Sequence, residues 1–217
     1  MTLNANALPK TGGGKKFDPV DAGNYPARVA GILGLGMQAQ RPYKGQEKPP
    51  RNEIMITYEL VGEFLKDDDG NDMEDKPRHI SETMGFFSLS ADMAKSTKRY
   101  KALDPNGEFK GDFSKLIGTP CTVTVIHNKA MNGNIYANVS AVTPPMKGMT
   151  LPDLKNPPQV FDRSNPDMEV WEALPKWKQD KIKEGLDFKG TKLYEVLSGK
   201  PAVEEDKKEE TDDGSPY

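Results

Sequence analysis

Cysteine and histidine are nearly missing from this chain. Cys121, His79 and His127 are the only ones among 217 residues, so an internal disulfide is excluded and a zinc site would have to be completed with carboxylates. No CxxC, HExxH, GxSxG or GxxxxGK[ST] spacing occurs, which removes the local signatures of dithiol redox, zinc hydrolysis, nucleophile elbows and phosphate loops. Thr11-Gly12-Gly13-Gly14-Lys15-Lys16 has the residue types of a phosphate loop without its spacing, and no strand pattern precedes it. Apolar residues make up 35% of the chain and mean hydropathy is -0.72. No apolar run approaches the roughly 20 residues that cross a bilayer. Met1 to Gly14 has no apolar stretch of the secretory kind, and Cys121 sits in an alternating apolar segment where it reads as a small packed hydrophobe. A non-enzymatic protein of a reducing cytosol, with no membrane segment, metal or cofactor, is the expectation.

Charge is present but segregated. Residues 1–150 hold 19 Lys and Arg against 17 Asp and Glu, whereas residues 151–217 hold 11 against 16. Six of the acids in the first part (Asp67, Asp68, Asp69, Asp72, Glu74, Asp75) crowd one turn, leaving the rest of that part basic, as a surface that meets phosphates would be. The chain ends in an acidic stretch, Val203 to Tyr217, with seven acids interrupted by Lys207, Lys208 and Thr211 and closed by an aromatic. Such a segment cannot offset its ordering entropy by burial, so it reads as a mobile anionic tail. It can compete with nucleic acid for a basic groove, dock Glu209, Glu210, Asp212, Asp213 and Tyr217 on a partner, or merely solubilise.

Between a flexible basic arm (residues 1–17) and the tail (199–217), the pattern is of short strands separated by turn chemistry. Strands are expected at Tyr25 to Met37, Glu53 to Phe64, Arg78 to Leu89, Cys121 to His127 and Ile135 to Val142. The acidic turn Asp67-Asp68-Asp69-Gly70-Asn71 joins the second to the third. In the second strand Ile54, Ile56, Tyr58, Leu60 and Phe64 share one parity and therefore one face. A helix over Ser90 to Leu103 and a short one at Phe113 to Ile117 fall between the third and fourth strands. This order, β-β-β-α-β-β, is that of a five-stranded OB-fold barrel, here expected over residues 18–145; an SH3-like barrel or small sandwich shares the strand count. A Pro-rich linker (146–159) leads to a helical module (160–198), where Ser164-Asn165-Pro166-Asp167 reads as a helix start and Pro175 as a break. Its tryptophans, Trp171 and Trp177, are expected to pack on the barrel or on a second subunit, as in a homodimer.

The loop after the first strand, Gln38 to Arg51, interleaves Arg41, Lys44, Lys48 and Arg51 with Tyr43. Cations that follow phosphates beside a ring that stacks a base form a strap for a single strand. A solvated hairpin loop has the same composition. Arg78, Lys98, Arg99 and Lys129 are further candidates for the same surface, although Lys95, Lys98, Arg99 and Lys101 equally describe a solvated helix face. Phe86 and Phe87 are adjacent and should point to opposite faces of the third strand, one into the core and one outward. The acid cluster fails the calcium loop because Asp72 stands where the sixth-position glycine is required.

Three stretches carry a resemblance. Met37-Gln38-Ala39-Gln40-Arg41-Pro42-Tyr43-Lys44-Gly45, Ser96-Thr97-Lys98-Arg99-Tyr100-Lys101-Ala102-Leu103-Asp104-Pro105 and Gly118-Thr119-Pro120-Cys121-Thr122-Val123-Thr124-Val125 resemble the single-stranded DNA-binding proteins of tailed bacteriophages. The resemblance implies an OB-fold that coats single strands in phage DNA replication, recombination and repair, in the cytoplasm of the infected host. It also implies a tail that recruits the phage DNA polymerase and helicase-primase. Related tails often end in phenylalanine, and Tyr217 departs from that. An interaction protein, a phage-encoded adaptor or inhibitor of a host or viral protein, is the rival reading.

Overall fold

The computed structural model describes residues 18–202, so the basic arm and the acidic tail with Glu209, Glu210, Asp212, Asp213 and Tyr217 lie outside the described residues. Five antiparallel strands, β1 (Gly23–Gln38), β2 (Arg51–Lys66), β3 (Asp72–Gly85), β4 (Pro120–Lys129) and β5 (Ile135–Thr143), form a curled half-barrel in the order β3-β2-β1-β4-β5. The curl originates in β1. Its pairing to β2 shifts register between Val29 and Gly31 and again between Gly34 and Gly36, and each bulge adds twist and bends the strand. Its first half, Gly23 to Arg28, pairs with β4, while Gly31 to Leu33 pairs in parallel with a short strand, β6 (Gln159–Phe161). Gly36 is required twice over: its φ is +78°, and a Cβ there would lie 2.0 Å from the Arg163 guanidinium.

Helix α1 (Lys95–Leu103) closes the concave side. The core inside the half-barrel joins Val29, Ile32, Ile54, Ile56, Tyr58, Leu60, Val123 and Val125 to Tyr100, Leu103 and Leu116. Cys121 is fully buried there, and burial pushes its thiol up to about 12, an inert side chain at neutral pH. Tyr100 donates to the Asp104 carboxylate and accepts from the Gly111 amide, tying α1 to the turn that follows it.

A second core lies on the opposite face of β1 and β2. Leu33, Leu35 and Met55 pack there against Phe161, Trp171, Leu174, Ile182 and Leu193. The covering elements are β6 and three short helices, α2 (Met168–Ala173), α3 (Lys176–Lys183) and α4 (Lys192–Ser198). As the sequence leads one to expect, Asp167 caps α2 by accepting from the Glu169 and Val170 amides, and Pro175 separates α2 from α3. Asp187 fixes this layer to the barrel by accepting from the Met37 amide while pairing bidentately with Arg163 at 2.8 and 2.7 Å. Residues 146–159 are held to the barrel. Arg28 donates to the carbonyls of Gly118, Leu151 and Pro152, and Glu59 accepts from the Lys155 amide.

Several boundaries differ from the sequence reading. Phe64 leaves the core face because pairing shifts register between Glu59 and Phe64, and its ring lies 4.7 Å from the Lys155 ammonium instead. The third strand starts at Asp72 and ends at Gly85; its acidic first half extends the β2–β3 hairpin, where exposed charge protects an edge. Residues 90–94 form turns, and α1 begins only at Lys95.

Candidate nucleic-acid interface

The strap between β1 and β2 has a defined shape. Tyr43 and Gln46 exchange two backbone hydrogen bonds, 2.9 and 3.1 Å, around Lys44 (φ 51°) and Gly45 (φ 78°). This is a two-residue hairpin tip with both central residues in the left-handed region. The Tyr43 ring is 58% exposed, with the Lys48 ammonium 4.6 Å and the Lys44 ammonium 5.5 Å from its centroid. At the base, Gln40 and Arg51 both donate to the buried Glu53 carboxylate, which pins the two ends of the strap together. Arg41 stands exposed between tip and base.

Beside Arg51 lies an aromatic surface. Phe86 and Phe87 are 44% and 46% exposed; the expectation that one enters the core fails because β3 ends at Gly85, and strand alternation ends with it. Phe86 sets its edge against Phe113 at 5.1 Å. Phe87 folds back over Gly85, where a Cβ would meet its ring at 2.5 Å and the Arg51 Cδ at 3.1 Å. Strap, Arg51 and Phe87 therefore share the Gly85 end of β3.

The other part of the surface is a cleft of about 670 Å³ where β3 and β5 separate. Arg78, His79 and Ser81 line it from β3, Ile135 and Tyr136 from β5. Tyr136 is 51% exposed. Residues 18–20 cross its mouth: the Arg78 guanidinium donates to the Asp18 carbonyl, and His127 Nε2 lies 2.8 Å from the Val20 carbonyl. Arg78 is thus partly engaged already. Burial holds His79 below the ordinary imidazole value, the Lys178 charge adds to this, and the Glu59 carboxylate at 3.3 Å only partly opposes them. At neutral pH His79 contributes a neutral ring. Lys129 is exposed at the end of β4, opposite Ile135. Seven residues separate Arg78 from Gly85 along β3, so strap and cleft stand roughly 23 Å apart at about 3.3 Å per residue.

The cations of α1 divide. Lys98 is exposed. Arg99, expected at the surface, is instead 7% exposed. It donates to both Glu82 oxygens (2.7 and 3.2 Å) and to the Ser140 carbonyl (3.1 Å), bridging β3 to β5. Lys95 and Tyr58 complete the shell of Glu82 at 2.7 and 2.8 Å, and Lys101 pairs with Asp92. Helix periodicity places Arg99 inward: on α1 the residues Ser96, Thr97, Arg99, Tyr100 and Leu103 face the barrel, and a guanidinium there must find a carboxylate. Sequence left open which of Phe86, Phe87 and Tyr136 reaches the surface and did not single out Ile135, because which end of a strand overhangs the barrel is a tertiary property; all four are exposed.

Among the described residues, no group of three or more His, Cys, Asp or Glu is placed to hold a metal ion. Asp67 closes its own turn by accepting from the Asp69 and Asn71 amides. No protein-family model matches this chain, and no curated protein or solved structure matches it either.

Proposed function

We propose that this protein binds single-stranded DNA, largely without sequence preference, and has no catalytic role. The observation that carries the reading is the pairing of two exposed ring-and-cation surfaces along one strand. Tyr43 among Arg41, Lys44 and Lys48, beside Arg51 and Phe87, stands at the Gly85 end of β3, and the Tyr136 cleft with Lys129 beside its middle. Rings offer every base a π-face while flexible cations follow phosphates. The strand order, with α1 in the β3–β4 connection and bridging β3 to β5 through Arg99, supports an OB barrel, a fold whose strand 2–3 face and flanking loops take oligonucleotides. Lys98 is a weaker contact, and Arg99 positions rather than binds.

On this reading the protein coats single strands during phage DNA replication, recombination and repair in an infected bacterium. The acidic tail around Glu209, Glu210, Asp212, Asp213 and Tyr217 competes with DNA and recruits the polymerase and helicase-primase. The test is a fluorescence-anisotropy titration with labelled oligo-dT at several salt concentrations. Three to five neutralised phosphates give a log-log slope of about -2 to -3.5, from about -0.7 per phosphate on a single strand. An affinity that does not change with salt contradicts the groove.

A further inference from the structure

A second cleft, about 810 Å³, lies on the outer face of β2 and β3, under α3 and the 156–158 segment. Thr57 and Ser81 form its floor, with their hydroxyls 2.8 Å apart. Trp177, 56% exposed, forms a wall, in contrast to Trp171, which is buried against Phe161. Lys178 also lines it and is only 7% exposed; its ammonium makes no ion pair or hydrogen bond among the described residues and keeps contact with solvent. The group that faces its charge is the Trp177 ring, 5.7 Å away. That charge is partly desolvated and has no oxygen partner, so an anion entering the cleft would gain from it.

No carboxylate pairs with the Lys178 ammonium among the described residues. Glu59 accepts from the Lys155 amide and His79, and Asp75 and Glu169 stand at the rim with no ion pair to Lys178. Burial depresses the Lys178 pKa, with no neighbouring charge to offset it. The cleft also adjoins the β3–β5 cleft: Leu65, Pro77, His79 and Ser81 line both. A strand leaving the first cleft across the edge of β3 enters the second.

Resting on the single-strand reading above, we infer that this outer cleft takes one further nucleotide of the bound strand, its phosphodiester on Lys178 and its base on the exposed face of Trp177.

The test uses the full-length protein and oligo-dT, followed both by anisotropy of a labelled oligonucleotide and by intrinsic tryptophan emission. Wild type should be quenched on binding, and Trp177→Phe should lose most of the quench. Trp177→Ala should bind about 5- to 100-fold more weakly, the range of one lost stack. Lys178→Met should make the salt slope shallower by about 0.7 while raising the melting temperature of the free protein, and Lys178→Arg should restore the slope. A lysine with a purely structural role would lower the melting temperature when replaced and leave the slope alone. Oligo-dT that binds by anisotropy with Trp177 emission and the Lys178→Met slope unchanged overturns the inference and spares the single-strand reading. No oligo-dT binding by wild type overturns both.

Discussion

Replacing Arg99 by alanine will lower the melting temperature by roughly 10 °C, since stripping one partner from a buried ion pair costs about 3–5 kcal/mol and each kcal/mol is worth about 2–4 °C at this chain length. Glu82 would remain in the interior with only Lys95, Tyr58 and an unfilled guanidinium site around it. The Ser140 carbonyl would lose its donor, and with it the link between β3 and β5. Replacing the pair together, Arg99→Met with Glu82→Gln, should recover much of the loss, because no bare charge is left behind. The sign of the pH dependence follows from Glu82. Burial pushes its carboxyl up, but hydrogen bonds and charge from Arg99 and Lys95 outweigh this and hold it below the ordinary value. A carboxylate depressed in the folded state contributes its full stability above the unfolded pKa and loses it as pH falls through the folded one. Wild type should therefore lose stability on acidification below about pH 4.3, the free glutamate value, and the double variant should lose less over the same window. Thermal melts from pH 7 to pH 3 decide this. An Arg99→Ala protein that melts with wild type, or a double variant no better than the single, contradicts the account of the α1 seam.

Removing the strap's ring and its neighbouring cation, Tyr43→Ala with Arg41→Ala, will weaken oligo-dT binding about 100-fold at low salt. Loss of one base stack costs about 1–3 kcal/mol, and loss of one phosphate contact adds to it. The Tyr43 ring already carries Lys48 at 4.6 Å. A base that stacks on it frees that ammonium to meet the adjacent phosphate, so ring and cations act together. Because Tyr43 and Arg41 are exposed and the strap's base is held by Gln40, Arg51 and Glu53, the melting temperature should not move. Tyr43→Phe should bind almost as well as wild type. If it binds as poorly as Tyr43→Ala, stacking is not what the ring does. A protein whose activity survives Arg41→Ala with Tyr43→Ala acts as an adaptor instead.

Much of the half-barrel was legible because its signals are local. Alternation over Ile54, Ile56, Tyr58 and Leu60 marks one face of β2, Asp167 and Pro175 mark helix ends, and the Asp-rich turn marks a hairpin. What was illegible is tertiary. Met55 belongs to a second core on the other face of β2, and a strand buried on both sides hides that fact behind its own continuity. β6 is three residues long, too short for any periodicity, and exists because β1 has a free edge beyond Arg28. Of the candidate site, the strap was readable as a composition, since rings and cations interleave within one loop. Arg99 was misplaced because an arginine on an amphipathic helix gives no local sign of whether a buried carboxylate awaits it. Lys178 was passed over for the converse reason: a buried lysine without a partner has no sequence signature.

The central claim, a single strand lying along β3 between strap and cleft, is tested most directly by photocrosslinking. Full-length protein would be bound to 5-iodouracil-substituted single-stranded DNA, irradiated, and the modified residues mapped by mass spectrometry. Crosslinks at Tyr43, Phe87 and Tyr136, suppressed by excess unlabelled oligo-dT more effectively than by duplex, are the predicted result. Absence of crosslinks at all three, or equal suppression by duplex, would contradict it.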